Sequence, residues 1–461
     1  MSAPHRTPGT LRSAEEHLAA VLARVTPLPA EDVALAELAV EPPGRTLGAE
    51  VRAAALVPPF DAAAMDGYAV RLADLPADGS PVTLQVVGDL RPGDPVPAAP
   101  EGCERDFGDY SGENSPRNRA HNASPAAVRI MTGAPVPGWA DAVVPVERTS
   151  TGRFVAGGPT TEHDVTLARQ PRGHVRRQGE DVRPGDLLGR TGDAVTPALV
   201  AVAASAGLTS LPVRRRPRVA VLSTGSELVT AGGRAEPGRI PDSNSLLLAA
   251  LARAAGADVV RVGAVPDDPD ALRTALDTVV GGVDLVVTTG GVSAGASDVV
   301  RAVLDAPDAR LADVDVAAVG LRPGRPQALA RWQGVPWAAL PGNPVSAFVS
   351  FALFVRPAVG VLAGREPVLP VRRTVAEAWP SPPGRTHVVP VRTVRPGVVE
   401  RATPPDPAPG PGSGGHATAA LLGADGLALV PPDVDKVDAG DEVDVLPLDL
   451  PFGAGAPGGA A

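Results

Sequence analysis

The chain has 461 residues, 44% of them hydrophobic, with 42 basic and 52 acidic side chains and a formal charge of −10. That length exceeds one ordinary core and implies three or four domains, and the acidic balance argues against nonspecific nucleic-acid binding. The single cysteine, Cys103, excludes intramolecular disulfides and any multi-cysteine metal site.

The first ten residues, MSAPHRTPGT, lack an apolar h-region, so a cytoplasmic chain without a signal peptide is expected. Residues 13–25, SAEEHLAAVLARV, carry apolar side chains at helical spacing behind Ser13, with Glu16 completing a capping-box pattern. Pro58 to Val70 reads PPFDAAAMDGYAV, setting Asp61 and Asp66 in one loop with Gly67 directly after the second acid. Short β-type runs punctuated by Gly and Pro follow to about residue 100. Residues 101–124 are almost wholly polar and are expected to form a mobile surface insertion. Short strands resume with AVRI and DAVVPVE, broken by the loops IMTGAP (130–135) and QGEDVRPGD (178–186).

At Arg218 the pattern changes. RVAVLST, ADVVRVGAV, VDLVVTTG and PWAAL are apolar runs with little alternation, as expected for parallel strands covered on both faces. Helices are predicted between them at Ser243–Ala255, with Asp242 to Asn244 as cap candidates, and at Pro269–Val280, capped by Asp268. This alternation predicts a doubly wound α/β domain whose ligand sits beyond the carboxyl ends of its strands. The loops there are STGSE, TGGVSAG and LPGNPVSA. The apolar stretch Pro344 to Gly364, interrupted by Arg356–Pro357, reads as a buried helix rather than a membrane span. Past Arg365, β-like runs separated by PPDPAPGPGSGG (404–415) predict a small β domain, and the tail 451–461 is expected to be disordered.

Small residues beside acids and hydroxyls suit loops that bind anions through N–H groups and metals through carboxylates. Taken together, MDGYAV, IMTGAP…ADAVVPVE, GED…PGD, LSTGSEL, TTGGVSAG…D and LPGNPVSA occur in the order and spacing of the molybdopterin molybdenumtransferase family. The chain resembles that family over roughly residues 13–450, and gephyrin's C-terminal region is a relative of the same kind. The resemblance implies Mg²⁺-dependent insertion of molybdate into adenylyl-molybdopterin with release of AMP. It implies a multidomain α/β plus β fold: an extended N-terminal dimerisation domain (1–54 and 151–190) and a β-rich inserted domain (55–150). A three-layer α/β domain (191–365) and a C-terminal β domain (366–450) would complete it. It also implies a cytoplasmic homodimer whose cleft lies between the α/β domain and the partner's inserted domain. Transient contact with molybdopterin adenylyltransferase and with molybdoenzymes or their chaperones is expected, with no nucleic acid or membrane as partner.

The resemblance places Asp66, Thr132, Asp181 and Asp298 among the catalytic groups. Glu227 and Asp298 are the metal ligands it suggests, oxygen donors being what a hard cation requires. Gly290, Gly291 and Ser293 lie where a strand turns to a helix and can cradle phosphate. Asp267, Arg322, Arg325 and Asn343 are further candidate contacts, the guanidinium groups being suited to phosphate or molybdate. Asn343 has the alternative role of starting the following helix, and Asp267 that of a neighbour to a helix cap. Several positions depart from the family pattern: Ala62 and Ala63 replace Asn and Ser, Ser226 stands where an acid is usual, and Ala318 replaces a common lysine. The competing expectations are a molybdopterin adenylyltransferase and a non-catalytic pterin-binding or scaffolding paralogue.

Overall fold

The computed structural model describes residues 11–41, 44–95, 125–155, 161–230, 236–292, 298–402 and 418–448. The expected insertion at 101–124, the Pro/Gly stretch at 404–415, the tail and Ser293 lie outside them.

A six-stranded sheet forms the centre, in the order Asp258–Val265, Arg218–Thr224, Leu285–Thr289, Val335–Leu340, Pro326–Trp332, Leu311–Ala318. The first four strands are parallel and the last two antiparallel. Alternation across the pleat explains the unbroken apolar runs. Val219, Val221, Leu285 and Val287 pack on helix Ser243–Ala254 and the helical run 344–362. Ala220, Leu222 and Val286 face the opposite way, onto helices Pro269–Val280 and Val299–Asp305. The helix starts follow their caps. Asp242 accepts from Ser245 N, Asp268 from Asp270 N, and Asn343 from Val345 N and Ser346 N. The run Pro344–Leu362 is long and apolar enough to cross a membrane, but it is mostly buried inside the protein. Its middle turn, Phe351–Val355, is a π-helix placed just before Arg356–Pro357. The wider turn accommodates a proline that lacks an N–H and crowds the preceding carbonyl.

In the N-terminal half a five-stranded sheet runs Ala142–Pro145, Gly67–Val70, Ala126–Ile130, Val82–Leu90, Asp164–Leu167. The last strand corrects the expected end of the inserted domain at 150, because Val165 and Leu167 are core residues of that sheet. A second correction concerns the expected start of the α/β domain at 191. Strand Ser210–Arg214 pairs with Ala30–Ala34, and its inward residues Leu211 and Val213 meet Val33, Leu47 and helix Pro197–Ser205. These residues therefore belong with the N-terminal segment. Helix Ala14–Leu22 begins at the Ser13–Glu16 capping box and packs on the α/β unit, with His17 edge-on to Phe354 at 4.6 Å.

At the C-terminal end, strands Thr386–Arg395, Val398–Arg401, Val371–Val375, Glu442–Pro447 and Gly426–Val430 close on themselves through the 386–395 and 426–430 pairing. Strand Leu321–Arg322, which leaves the central sheet, joins this barrel parallel to Thr386–Arg395. That crossover brings the LRPGRP loop against the barrel.

Candidate functional site

The central sheet opens at its carboxyl edge onto a cavity of about 430 Å³, a position dictated by the four parallel strands, which all end on that side. Its floor is backbone. Gly290 has φ +97°, and a Cβ there would stand 2.5 Å from the Thr224 carbonyl. Gly291 (φ +59°) is packed against Thr224 Oγ1 and Val300 N, while Gly342 approaches the Gly290 Cα. Only glycine supplies both the left-handed conformation and the missing side chain. The floor is tied by polar contacts: Gly290 N donates to Leu340 O (3.1 Å) and Thr289 Oγ1 to Pro341 O (2.7 Å). Asn244 Nδ2 donates to Thr289 Oγ1 (3.1 Å) and Gly342 O (2.7 Å). Sequence reasoning treated Asn244 only as a cap candidate, although its place in PDSNS, between a strand end and a helix, was the available signal.

Glu227, Asp267 and Asp298 all line this cavity, together with Gly290 and Gly291. Asp267 is held by a reciprocal pair in which its carboxylate accepts from Ser226 N at 2.8 Å and its N donates to Ser226 Oγ at 3.0 Å. Ser226 thus locks the turn, where a carboxylate would face another. The fourth acid on the wall, Asp242, is buried and saturated by Ser223 Oγ, Ser245 N and Ser245 Oγ. Among the described residues no three His, Cys, Asp or Glu side chains converge into a cation cage. The donor set instead fits a hard cation held by one or two carboxylates and completed by ligand phosphate oxygens, the usual manner of Mg²⁺. Asn343 does not line the cavity. Its side-chain oxygen caps the following helix, the alternative role expected for it.

Arg325 directly precedes Pro326 on the cavity wall and opens a cationic neighbour to it. Buried Gln327 pins the loop, donating to Gly324 O (2.9 Å) and Ser350 Oγ (2.6 Å). Arg322 pairs in register with His387 of the barrel, and Arg385 donates to Leu321 O at 3.5 Å. Burial first, then the charges of Arg322 and Arg325, lowers the pKa of Arg385. His387 is lowered by burial and then by Arg401 and Arg322. Among the described residues Arg322, Arg325 and Arg385 make no ion pair with a carboxylate. A group of mutually repelling guanidinium groups favours an incoming anion. Sequence reasoning missed Arg385 because only the barrel crossover brings it to the loop.

The remaining predicted residues stand elsewhere. Asp66 Oδ1 accepts from Thr132 N and Thr132 Oγ1, both at 2.8 Å, at the end of the paired strands Gly67–Val70 and Ala126–Ile130. Asp181 is anchored by its N to Val57 O, and Asp61 ties the two loops by accepting from Arg177 (2.7 Å) and Gln178 N (2.8 Å). Asp66, Thr132 and Asp181 are exposed, and none lines the cavity. A single chain therefore does not gather them with Glu227, Asp267 and Asp298. Ala62 and Ala63 are buried, in the strand that pairs with Val175–Arg176.

Comparison with known proteins gives the same picture along the whole chain. A family profile described as "MoeA N-terminal region (domain I and II)" matches residues 12–207. One described as "Probable molybdopterin binding domain" matches 220–360, and "MoeA C-terminal region (domain IV)" matches 372–448. The chain is 38% identical over 416 residues to molybdopterin molybdenumtransferase 2 of Mycobacterium tuberculosis, covering 88% of this chain and 93% of that protein. It is 34% identical over 449 residues to molybdopterin molybdenumtransferase 1 of the same organism, covering 94% and 98%. The crystal structure of a molybdopterin biosynthesis MoeA protein from Pyrococcus horikosii superimposes with a TM-score of 0.72 at 27% identity, covering 95% of this chain and 99% of that one.

Proposed function

The chain belongs to the molybdopterin molybdenumtransferase family, transferases that insert molybdenum into molybdopterin, and we propose that it acts with Mg²⁺ on adenylyl-molybdopterin, releasing AMP. The observation that carries this reading is one cavity that joins a glycine floor and three acids, with Arg325 next in the chain to its wall residue Pro326. Each part suits one charge of the substrates. The glycine floor at Gly290 and Gly291 lets the phosphates of the pterin nucleotide approach the backbone closely. Glu227 and Asp298 would hold Mg²⁺, which when bound would supply positive charge to the phosphate region of the substrate. Arg322, Arg325 and Arg385 bind the tetrahedral molybdate, which is substrate and not a resident cofactor.

Asp66, Thr132 and Asp181 enter this reading through a second copy of the chain. Their exposure supports it, as do Phe60 (43% exposed) and Met65 (37% exposed), two large apolar side chains flanking the same loop. The Thr132 hydroxyl and the Asp66 carboxylate would meet the pterin end of the substrate from that side. A cytoplasmic homodimer, with transient contacts to the adenylyltransferase and to molybdoenzymes or their chaperones, belongs to the same proposal.

The test is to mix the purified protein with adenylyl-molybdopterin, molybdate and Mg²⁺ and to follow AMP and active cofactor. Formation of both, lost on chelation, is expected. Binding without AMP release would make the chain a pterin-binding module, and ATP consumption with bare molybdopterin would make it an adenylyltransferase.

A further inference from the structure

Behind the Asp66 loop lies a buried polar cluster that packing does not account for. Tyr68 is fully buried, Arg129 is 6% exposed and Glu162 is 4% exposed. The Tyr68 hydroxyl, Arg129 Nε and both carboxylate oxygens of Glu162 complete no hydrogen bond. Arg129 reaches Glu162 Oε2 only at 3.6 Å and Asp89 only at 3.8 Å, while its Nη1 donates to Val155 O at 3.0 Å. Its guanidinium lies 4.6 Å over the ring of Phe154, and that ring meets Tyr68 edge-on at 5.7 Å. Although it falls short of a full hydrogen bond, the Tyr68 hydroxyl lies close enough to the Glu162 carboxylate that burial, then this contact, raise its pKa.

Orphaned buried polar groups are costly, and an apolar set of similar size would stabilise the sheet as well or better. Their placement supplies the reason. Tyr68 and Arg129 are cross-strand partners, and the next pair, Gly67 and Ile130, is where the chain leaves for Asp66 on one strand and Thr132 on the other. At Gly67 a Cβ would lie 2.1 Å from Val144 O, so this end of the strand has no side chain of its own to hold register. A buried polar cluster whose charges meet only in one pairing of the strands disfavours a register slip that apolar packing leaves open.

We propose that Tyr68, Arg129 and Glu162 are positioning residues: they hold the two strand ends so that Thr132 N and Oγ1 converge on Asp66 Oδ1, at some expense in stability. This rests on the reading of Asp66 as a catalytic group. Glu162 accepts no substrate contact in it, and acts through the strands alone.

The test uses the full chain with Tyr68→Phe, Arg129→Met and Glu162→Leu combined, and with Glu162→Gln alone, beside Asp66→Asn. Melting temperature, kcat and KM for adenylyl-molybdopterin are measured. The combined variant is expected to melt at or above the wild-type temperature and to keep KM within about twofold. Its kcat should fall about 10-fold or more, since small misplacements of reacting groups are that costly. Glu162→Gln, which keeps the shape, should retain most of kcat. Wild-type kcat in the combined variant, with Asp66→Asn inactive, overturns the positioning role alone. Wild-type kcat in Asp66→Asn overturns the reading of Asp66 and the inference with it. If the combined variant does not fold, Glu162→Leu alone is judged by kcat; it is expected to melt lower because it leaves Arg129 buried without its partner. A fall of about 10-fold at unchanged KM supports the positioning role, and wild-type kcat marks the cluster as merely structural.

Discussion

The sheet-edge cavity and the Asp66 loop make opposite use of their residues. The first is concave and built within one chain from three strand ends whose backbones touch, so that glycines are obligatory. The second is exposed, consists of one carboxylate gripped by one threonine, and lines no cavity. A pocket that binds needs enclosure, whereas a group that acts on what is bound needs only rigidity and an approach. In the proposed homodimer the loop would meet the cavity of the other subunit.

The largest effect expected from breaking the contrast is at the cavity floor. Gly290→Val adds a Cβ 2.5 Å from Thr224 O at φ +97°. Turnover should fall below detection, and stability should drop by roughly 1–3 kcal/mol, measured by denaturant unfolding. Next, Asp298→Ala and Asp66→Ala should each cost on the order of 10²-fold in kcat with unchanged melting. Asp298→Ala should also shift the Mg²⁺ requirement and Asp66→Ala should not, as metal titration of AMP release would show. A smaller effect is expected at the cationic wall: Arg385→Ala should raise KM for molybdate about 10-fold while leaving that for the pterin nucleotide little changed.

The smallest effect lies on the far side of the α/β unit. Burial, then the charge of Arg12, lowers the pKa of His17 from 6.5 to about 4. The folded state therefore holds His17 neutral. The associated stability is complete above the unfolded value near 6.5 and is lost as pH falls toward 4, by about 3 kcal/mol in all. Denaturant midpoints at pH 7 and pH 4 should converge in His17→Leu relative to wild type, without change in kcat at pH 7.

The cavity was legible because its signals are local. Unalternating strands, the paired glycines at 290 and 291, and Glu227 and Asp267 in the loops that follow strand ends all reside in short windows of sequence. What was not legible depends on partners distant in the chain. Leu211 and Val213 show the alternation of a half-buried strand, but that its partner is 30–34 rather than the central sheet is decided by tertiary pairing. Arg385 joins Arg322 only through the parallel crossover at 321–322. Asn343 gives its side-chain oxygen to the N–H groups that follow it, the helix-starting role that its place before Pro344 also suggested. Ser226, a departure from the family pattern, proves to be the residue that locks Asp267 in place.

The division of the site between subunits is tested most directly by complementation. Asp66→Ala and Asp298→Ala proteins, each inactive alone, are unfolded together, refolded as a mixture and assayed for AMP release. If opposite subunits contribute the two acids, mixed dimers carry one intact site each, and activity should return to about one quarter of wild type. A mixture as inactive as its components would show that both acids act within one chain, contradicting the account.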